Sequence, residues 1–161
     1  MPTSVQEQIV AIVKTRLESI TIANGYSFDV ASVDRVNRLG EDFTPRHLSL
    51  VVVAPDEERN TEHDRPGNPP VTAYRLPIAI HAFIRLSDKT AAIEDTTVND
   101  VAANVKKAIT SAADWYTFGG NSYLADWGTF EKFESTDHMG FTLQIIPLYR
   151  VSELDPFTAL P

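Results

Sequence analysis

The chain contains no cysteine in its 161 residues. That absence excludes disulfide scaffolds, thiolate zinc sites and cysteine nucleophiles together, and it suits a reducing compartment. Basic residues are scarce: 14 Lys and Arg stand against 22 Asp and Glu, a formal net charge of −8. Duplex-binding modules carry a basic face, so sequence-specific nucleic-acid binding is not expected. Long apolar runs are missing too. None exceeds the five residues of Leu50 to Ala54, which is strand-sized, whereas a membrane helix needs about 20 residues. The N-terminal MPTSVQEQ lacks the basic stretch and apolar block of a signal peptide. No membrane partner is expected.

Signatures of catalysis are equally scarce. There is no Gly-x-Ser-x-Gly elbow, no Gly-x-Gly-x-x-Gly and no Gly-x-x-x-x-Gly-Lys, so a serine-hydrolase elbow and phosphate-loop chemistry have no support. The four histidines, His47, His63, His81 and His138, show neither the i, i+4 spacing of a helical zinc site nor a His-x-His pair. Glu62-His63-Asp64 and Asp137-His138 sit in polar stretches, where solvated charge is the default. Asp56-Glu57-Glu58 lacks the glycine and the convergent spacing of a calcium loop. No cofactor and no metal is expected.

What is present is a patterned globular chain. At 161 residues with 43% hydrophobic content it suits one domain, 1–161, with a core of its own. Ser4 and Glu7 have capping-box spacing. Val5, Ile9, Ile12, Val13, Leu17 and Ile20 then recur at steps of three and four, the stripe of an amphipathic helix, and Asn24-Gly25 supplies a stop. Strands are expected over Phe28–Leu39, His47–Val53 and Val71–Leu86. The unbroken Val51-Val52-Val53 implies an inner strand covered on both faces. In the third strand Tyr74, Leu76, Ile78, Ile80, Ala82 and Ile84 share one face, against Arg75, His81 and Arg85. A second helix ends near Ala112. Its start is set by Thr97 with Asp100, another capping-box match, or lies nearer Lys89. An aromatic run, Trp115 to Phe118, then Gly119-Gly120 and Tyr123–Phe133, reads as a strand or hairpin forming core or interface. Phe141–Arg150 is the last strand. Pro77 and Pro147 fall inside strand patterns, and proline is confined to edges or bulges. The expected fold is α+β: a mixed, mainly antiparallel sheet with two helices packed on one face.

The segment Ala54–Pro70 interrupts this pattern. It is acidic, carries four prolines and offers almost nothing apolar. Most connections run to roughly 4–6 residues. A long polar insert of this kind is expected to be a mobile binding segment that orders on a partner. The candidate partner-loop residues are Asp56, Glu57, Glu58, Arg59, Glu62, His63, Asp64 and Arg65. The tail Val151–Pro161 has no period and is expected to be extended.

The order of these elements, with Thr117-Phe118-Gly119-Gly120, the terminal Tyr149-Arg150 and Asp155-Pro156-Phe157-Thr158, resembles the tail terminator (minor tail, or tail-completion) proteins of long-tailed bacteriophages. The resemblance covers most of the chain, through short motifs. It implies a non-enzymatic α+β subunit that forms a ring with copies of itself, usually of six. The ring caps the tail tube, ends its polymerisation and presents a surface to a head-completion or neck protein. It implies partners in the tail-tube protein and the neck, and residence in the host cytoplasm before the virion tail. Tyr149, Arg150, Asp155, Pro156 and Phe157 become candidate tail contacts. In that family the sheet's loops face the tube or lumen, so Ala54–Pro70 would be such a segment, although its acidic, proline-rich content departs from the pattern. A net negative charge suits a lumen through which DNA slides, since phosphate is held by cationic side chains. Three other readings remain. One is a head–tail connector or tail-tube subunit, another a small hydrolase using an Asp137–His138 or Glu62–His63 pair. The last is an adaptor that binds peptides along a strand edge.

Overall fold

The computed structural model describes residues 3–35, 48–54, 57–85, 91–110, 117–119, 121–134 and 138–160, with backbone alone over 91–95. Helix α1 spans Val5–Glu18, and the Ser4 hydroxyl accepts the Glu7 N–H at 3.3 Å. Such a cap contributes about 1 kcal/mol. Only half of the expected capping box forms, because the Glu7 carboxylate pairs with Arg35 at 2.8 Å. The helix also stops earlier than Asn24-Gly25. Those two residues instead close a separate 3₁₀ turn, Ile22–Asn24, where Gly25 takes φ +80°. Helix α2 spans Ala91–Thr110, so the earlier start is the right one. Thr97 lies inside the helix and caps nothing.

The sheet has eight strands. They are β1 (Ser32–Asp34), β2 (Leu48–Val53), β3 (Glu58–Arg59), β4 (Val71–Arg75), β5 (Ile78–Arg85), β6 (Tyr123–Glu134), β7 (His138–Ser152) and β8 (Asp155–Ala159). Strand β1 runs parallel to β2, and every other pairing is antiparallel. The fold is therefore α+β with a mixed, mostly antiparallel sheet. Strand β1 is shorter than expected, and the remainder of that reading, 36–39, lies outside the described residues, as do His47, Trp115, Tyr116 and Asp137.

Strand β7 is the spine. Its 15 residues pair with β5 and β4 on one side and with β6 and β8 on the other. The pairing of Val71–Arg75 and Ile78–Arg85 with β7 keeps one register throughout: Val71 lies opposite Ser152, Arg75 opposite Leu148 and Ile78 opposite Ile145. The strand nevertheless divides at Leu76-Pro77. Leu76 N–H still reaches the Pro147 carbonyl at 2.9 Å, but Pro147 has no N–H to return. The expected break thus occurs at Pro77. Pro147, however, sits neither at an edge nor at a strand end, but inside the most heavily paired strand. The ladder accepts it because both prolines fall at the same interruption. A register shift in the β6 pairing between Leu124 and Asp126 adjoins it.

One face of this sheet carries the core. Ile78, Ile80, Ala82 and Ile84 of β5 meet Leu50 and Val52 of β2 and Phe141, Leu143 and Ile145 of β7. They pack with Ile9, Val13 and Leu17 of α1 and Val98, Val101 and Val105 of α2 in one cluster. Each such side chain contributes about 1.5–3 kcal/mol on burial. Both helices therefore lie on one face, as the two stripes required. Val51, on the opposite face, is also buried, in keeping with an inner strand. Arg16 of α1 ties the layers together. It donates to the Ile109 carbonyl near the end of α2 at 2.7 Å and to the Thr117 carbonyl, and it stacks on Phe118 at 5.0 Å.

Two positions test this packing. A Cβ at Gly140 would lie 1.8 Å from the Ala82 carbonyl oxygen, and Phe83 and Phe133 meet at 5.4 Å between ring centroids in the same cross-strand row. Gly140→Ala is expected to cost at least about 2 kcal/mol, read as a lower midpoint in urea unfolding. Asn104, 8% exposed, has an amide nitrogen without a partner beside Ile20, Phe28, Val30, Leu48 and Val101. Asn104→Leu removes that desolvated group and is expected to raise the melting temperature by about 2–4 °C, for about 1 kcal/mol.

Candidate assembly surface

The two groups of residues singled out from the sequence, the 54–70 insert and the C-terminal tail, meet at one end of the sheet. Neither is structureless. Over 57–70 the chain forms β3 against β4, then a 3₁₀ turn, Thr61–His63, then a bridge between Arg65 and Val71. The expectation of an insert with no fold of its own is corrected here. Its apolar poverty was read properly, since almost all of these residues are exposed. What holds it is the outer edge of β4, whose backbone groups need partners. Ala73 supplies both. Its carbonyl accepts the Asn60 N–H at 2.8 Å, and its N–H donates to Asp64 Oδ1 at 2.8 Å.

Asp64 is the clasp of this arm. Its second oxygen accepts from Arg59 Nε at 3.1 Å and Nη2 at 2.8 Å. The Ala73 N–H, then the Arg59 guanidinium, hold the Asp64 carboxyl below the usual aspartate range. The arm also touches β7. The Tyr149 hydroxyl donates to Glu57, and Arg150 Nε donates to the His63 carbonyl at 3.2 Å. Tyr149 stacks on Tyr74 at 5.7 Å. Glu58, Glu62 and Arg65 are exposed. Asp56 lies outside the described residues.

The tail folds back as well. Val151 and Ser152 complete β7, and Asp155–Ala159 returns along it as β8. The tail expected to be extended is extended over Asp155–Ala159, but as a strand paired back onto β7; Pro161 lies outside the described residues. Asp155 accepts the Phe157 N–H at 3.0 Å. Hydrogen bonds from the Thr158 side chain, then from the Phe157 backbone, keep its carboxyl below the usual range. Gln8 Nε2 donates to the Phe157 carbonyl at 3.0 Å, so α1 anchors β8. The turn leaves Leu154 80% and Phe157 42% exposed. Pro156 lines a cleft with Ser4, Val5, Gln6, Glu57, Tyr74, Tyr149 and Val151. The cleft holds about 100 Å³, well short of the roughly 300–1,000 Å³ of small-molecule sites.

Residues that motif reasoning passed over complete this surface. Strand β6 is a 12-residue edge. Among the described residues its outer side meets only Thr117, at Tyr123. Alternation hinted at a strand here, but nothing local announced an edge. Among the described residues, no three His, Asp or Glu side chains gather to hold a metal. No helix among them is long and apolar enough to cross a membrane. His63 offers its carbonyl to Arg150, and His81 Nδ1 lies 2.9 Å from the Thr142 hydroxyl.

No protein-family model and no curated protein sequence matches this chain. Its surface therefore rests on geometry: a β6 edge that among the described residues pairs outward only at Tyr123, a polar arm and an exposed apolar turn.

Because Asp64 is depressed in the folded state, its contribution to holding the arm is present above the ordinary aspartate value of 3.8. It is lost as pH falls through the lower folded value. Asp64→Asn is expected to speed proteolytic cleavage within 57–70 at pH 7 while leaving the global melting temperature nearly unchanged. Unchanged cleavage kinetics in limited proteolysis would show that the clasp is not what holds the arm.

Proposed function

We propose that this chain is a structural subunit of a phage tail, a tail terminator. Copies close into a ring of about six, as the family resemblance implies, cap the tube and end its growth. The opposite surface then meets the head-completion or neck protein. The subunit acts in the host cytoplasm during assembly and stays in the virion tail.

The observation that carries this reading is the edge strand β6. Twelve residues of strand whose outer side, among the described residues, is bridged only at Tyr123 by Thr117 are a template for pairing with another chain. Soluble monomers blunt such edges with charge and bulges. Strand β6 has both, with register shifts at Leu124/Asp126 and Trp127/Phe130, which favours a selective contact over open-ended aggregation. The polar arm and the Leu154–Phe157 turn at one end add a second surface, suited to a different partner. The net charge of −8 supports a bore that DNA passes without adhering.

Light scattering after size-exclusion chromatography, with negative-stain electron microscopy of the concentrated protein, tests the reading. Closed rings of one size are expected. Open tubes would favour the tube-subunit alternative, because a heterologous contact that does not close makes a filament. A monomer at every concentration, alone and with tail tubes, would end the proposal.

A further inference from the structure

The sheet face turned away from the helices is electrically divided. Alternation from the core-facing Ile78 and Ile145 puts Arg75 of β4 and Arg150 of β7 on that far face. Arg65, bridged to Val71, joins the same row. Among the described residues neither Arg65 nor Arg75 has an ion-pair partner, and Arg150 spends one N–H on a backbone carbonyl. Glu58 stands opposite Arg75 in the ladder, so the row remains net positive. Across the spine, β6 does the reverse. Asp126 lies opposite Ile146 and Glu131 opposite Thr142, which puts both carboxylates on the far face. Both are exposed and form no ion pair among the described residues. The β6 lysine, Lys132, lies opposite the core residue Phe141, on the helix side. Charge is thus sorted by face and by edge.

We propose that the Arg65–Arg75–Arg150 row of one subunit docks on the Asp126–Glu131 edge of a second copy. The inference rests on the ring reading and names its contact. The complementary surface at hand is the chain's own β6 edge. Patch and edge share a sheet face but flank β7 on opposite sides, so one subunit can offer its patch to one neighbour and its edge to another, the head-to-tail arrangement that generates rings when the rotation closes. Opposite charges steer the encounter and set the register, while like charges brought together suppress wrong pairings. Nucleic acid is the lesser candidate, because the excess of carboxylates repels phosphate over the length that salt leaves unscreened.

Charge reversal tests this. Arg75→Glu with Arg150→Glu makes one variant, and Asp126→Arg with Glu131→Arg the other. Each alone is expected to weaken self-association at least about tenfold, read as a fall in mass by light scattering at fixed concentration. An equimolar mixture of the two is expected to recover the assembly, because every contact in an alternating ring is again complementary. Wild-type assembly is expected to weaken in about 0.5 M NaCl. Circular dichroism melting checks folding, with Arg75→Gln and Arg150→Gln as a milder pair. Variants that keep the wild-type mass, or a mixture that stays dissociated, overturn this contact and leave the ring reading standing. A wild type that is always monomeric sinks the ring reading first. Arginine variants that lose binding to duplex DNA while keeping their mass would assign the row to nucleic acid instead.

Discussion

Strand β7 holds the molecule together because it satisfies four strands at once. Its odd-numbered residues turn their backbone groups toward β5 and β4, and its even-numbered residues turn theirs toward β6 and β8. A backbone group buried without a partner costs about as much as a lost hydrogen bond, so each flanking element is tied to this one ladder. The helices depend on it as well. Phe141, Leu143 and Ile145 form the floor on which α1 and α2 rest. The arm depends on it at one remove, through the edge of β4 that β7 holds in place.

The two prolines show how that constraint is met. Pro147 removes one donor from this ladder, whereas Pro77 stands opposite Ile146, so the N–H it lacks would have pointed away from β7. They fall together, opposite each other's neighbours, and leave a single gap with the register intact on both sides. Beyond that gap the sheet changes use. The half made by β1, β2 and β5 is buried in the core, and the half made by β3, β4 and β8, with Tyr74 and Ala159 packed against the same core, also carries the arm and the exposed turn.

The candidate surface has a matching logic. Its polar segments lack the apolar content to bury themselves, so they are held by strand edges and by carboxylates such as Asp64. Interactions of this kind are exposed, local and open to exchange with a partner's groups. The far face of the sheet is built from side chains that alternate out of the core. There is room on it for charges to be distributed by position instead of cancelled in pairs.

Much of this was legible beforehand. The stripe from Val5 to Ile20, the alternation from Tyr74 to Ile84 and the triple valine of β2 follow from period and burial, which are properties of short segments. The α+β class follows from their order. Other features were not legible. Glu58 and Arg59 have no strand pattern, and Asp155–Ala159 has a proline and no alternation; both became strands because an unpaired edge lay beside them. Thr97 looked like a cap and was helix interior, since the helix had already begun at Ala91. Asp64, Tyr149 and Arg150 stood out as chemistry-bearing residues, but their contacts join positions up to 92 apart in the chain, as Tyr149 joins Glu57. By itself the sequence determined the helices and strands that carry a periodic apolar stripe and which of their faces are apolar, because local sterics and hydrophobic spacing decide those. The tertiary structure alone decided which strand became the spine, which edge stayed open and where charges gather, because hydrogen-bond partners and like-charged neighbours are chosen across the fold.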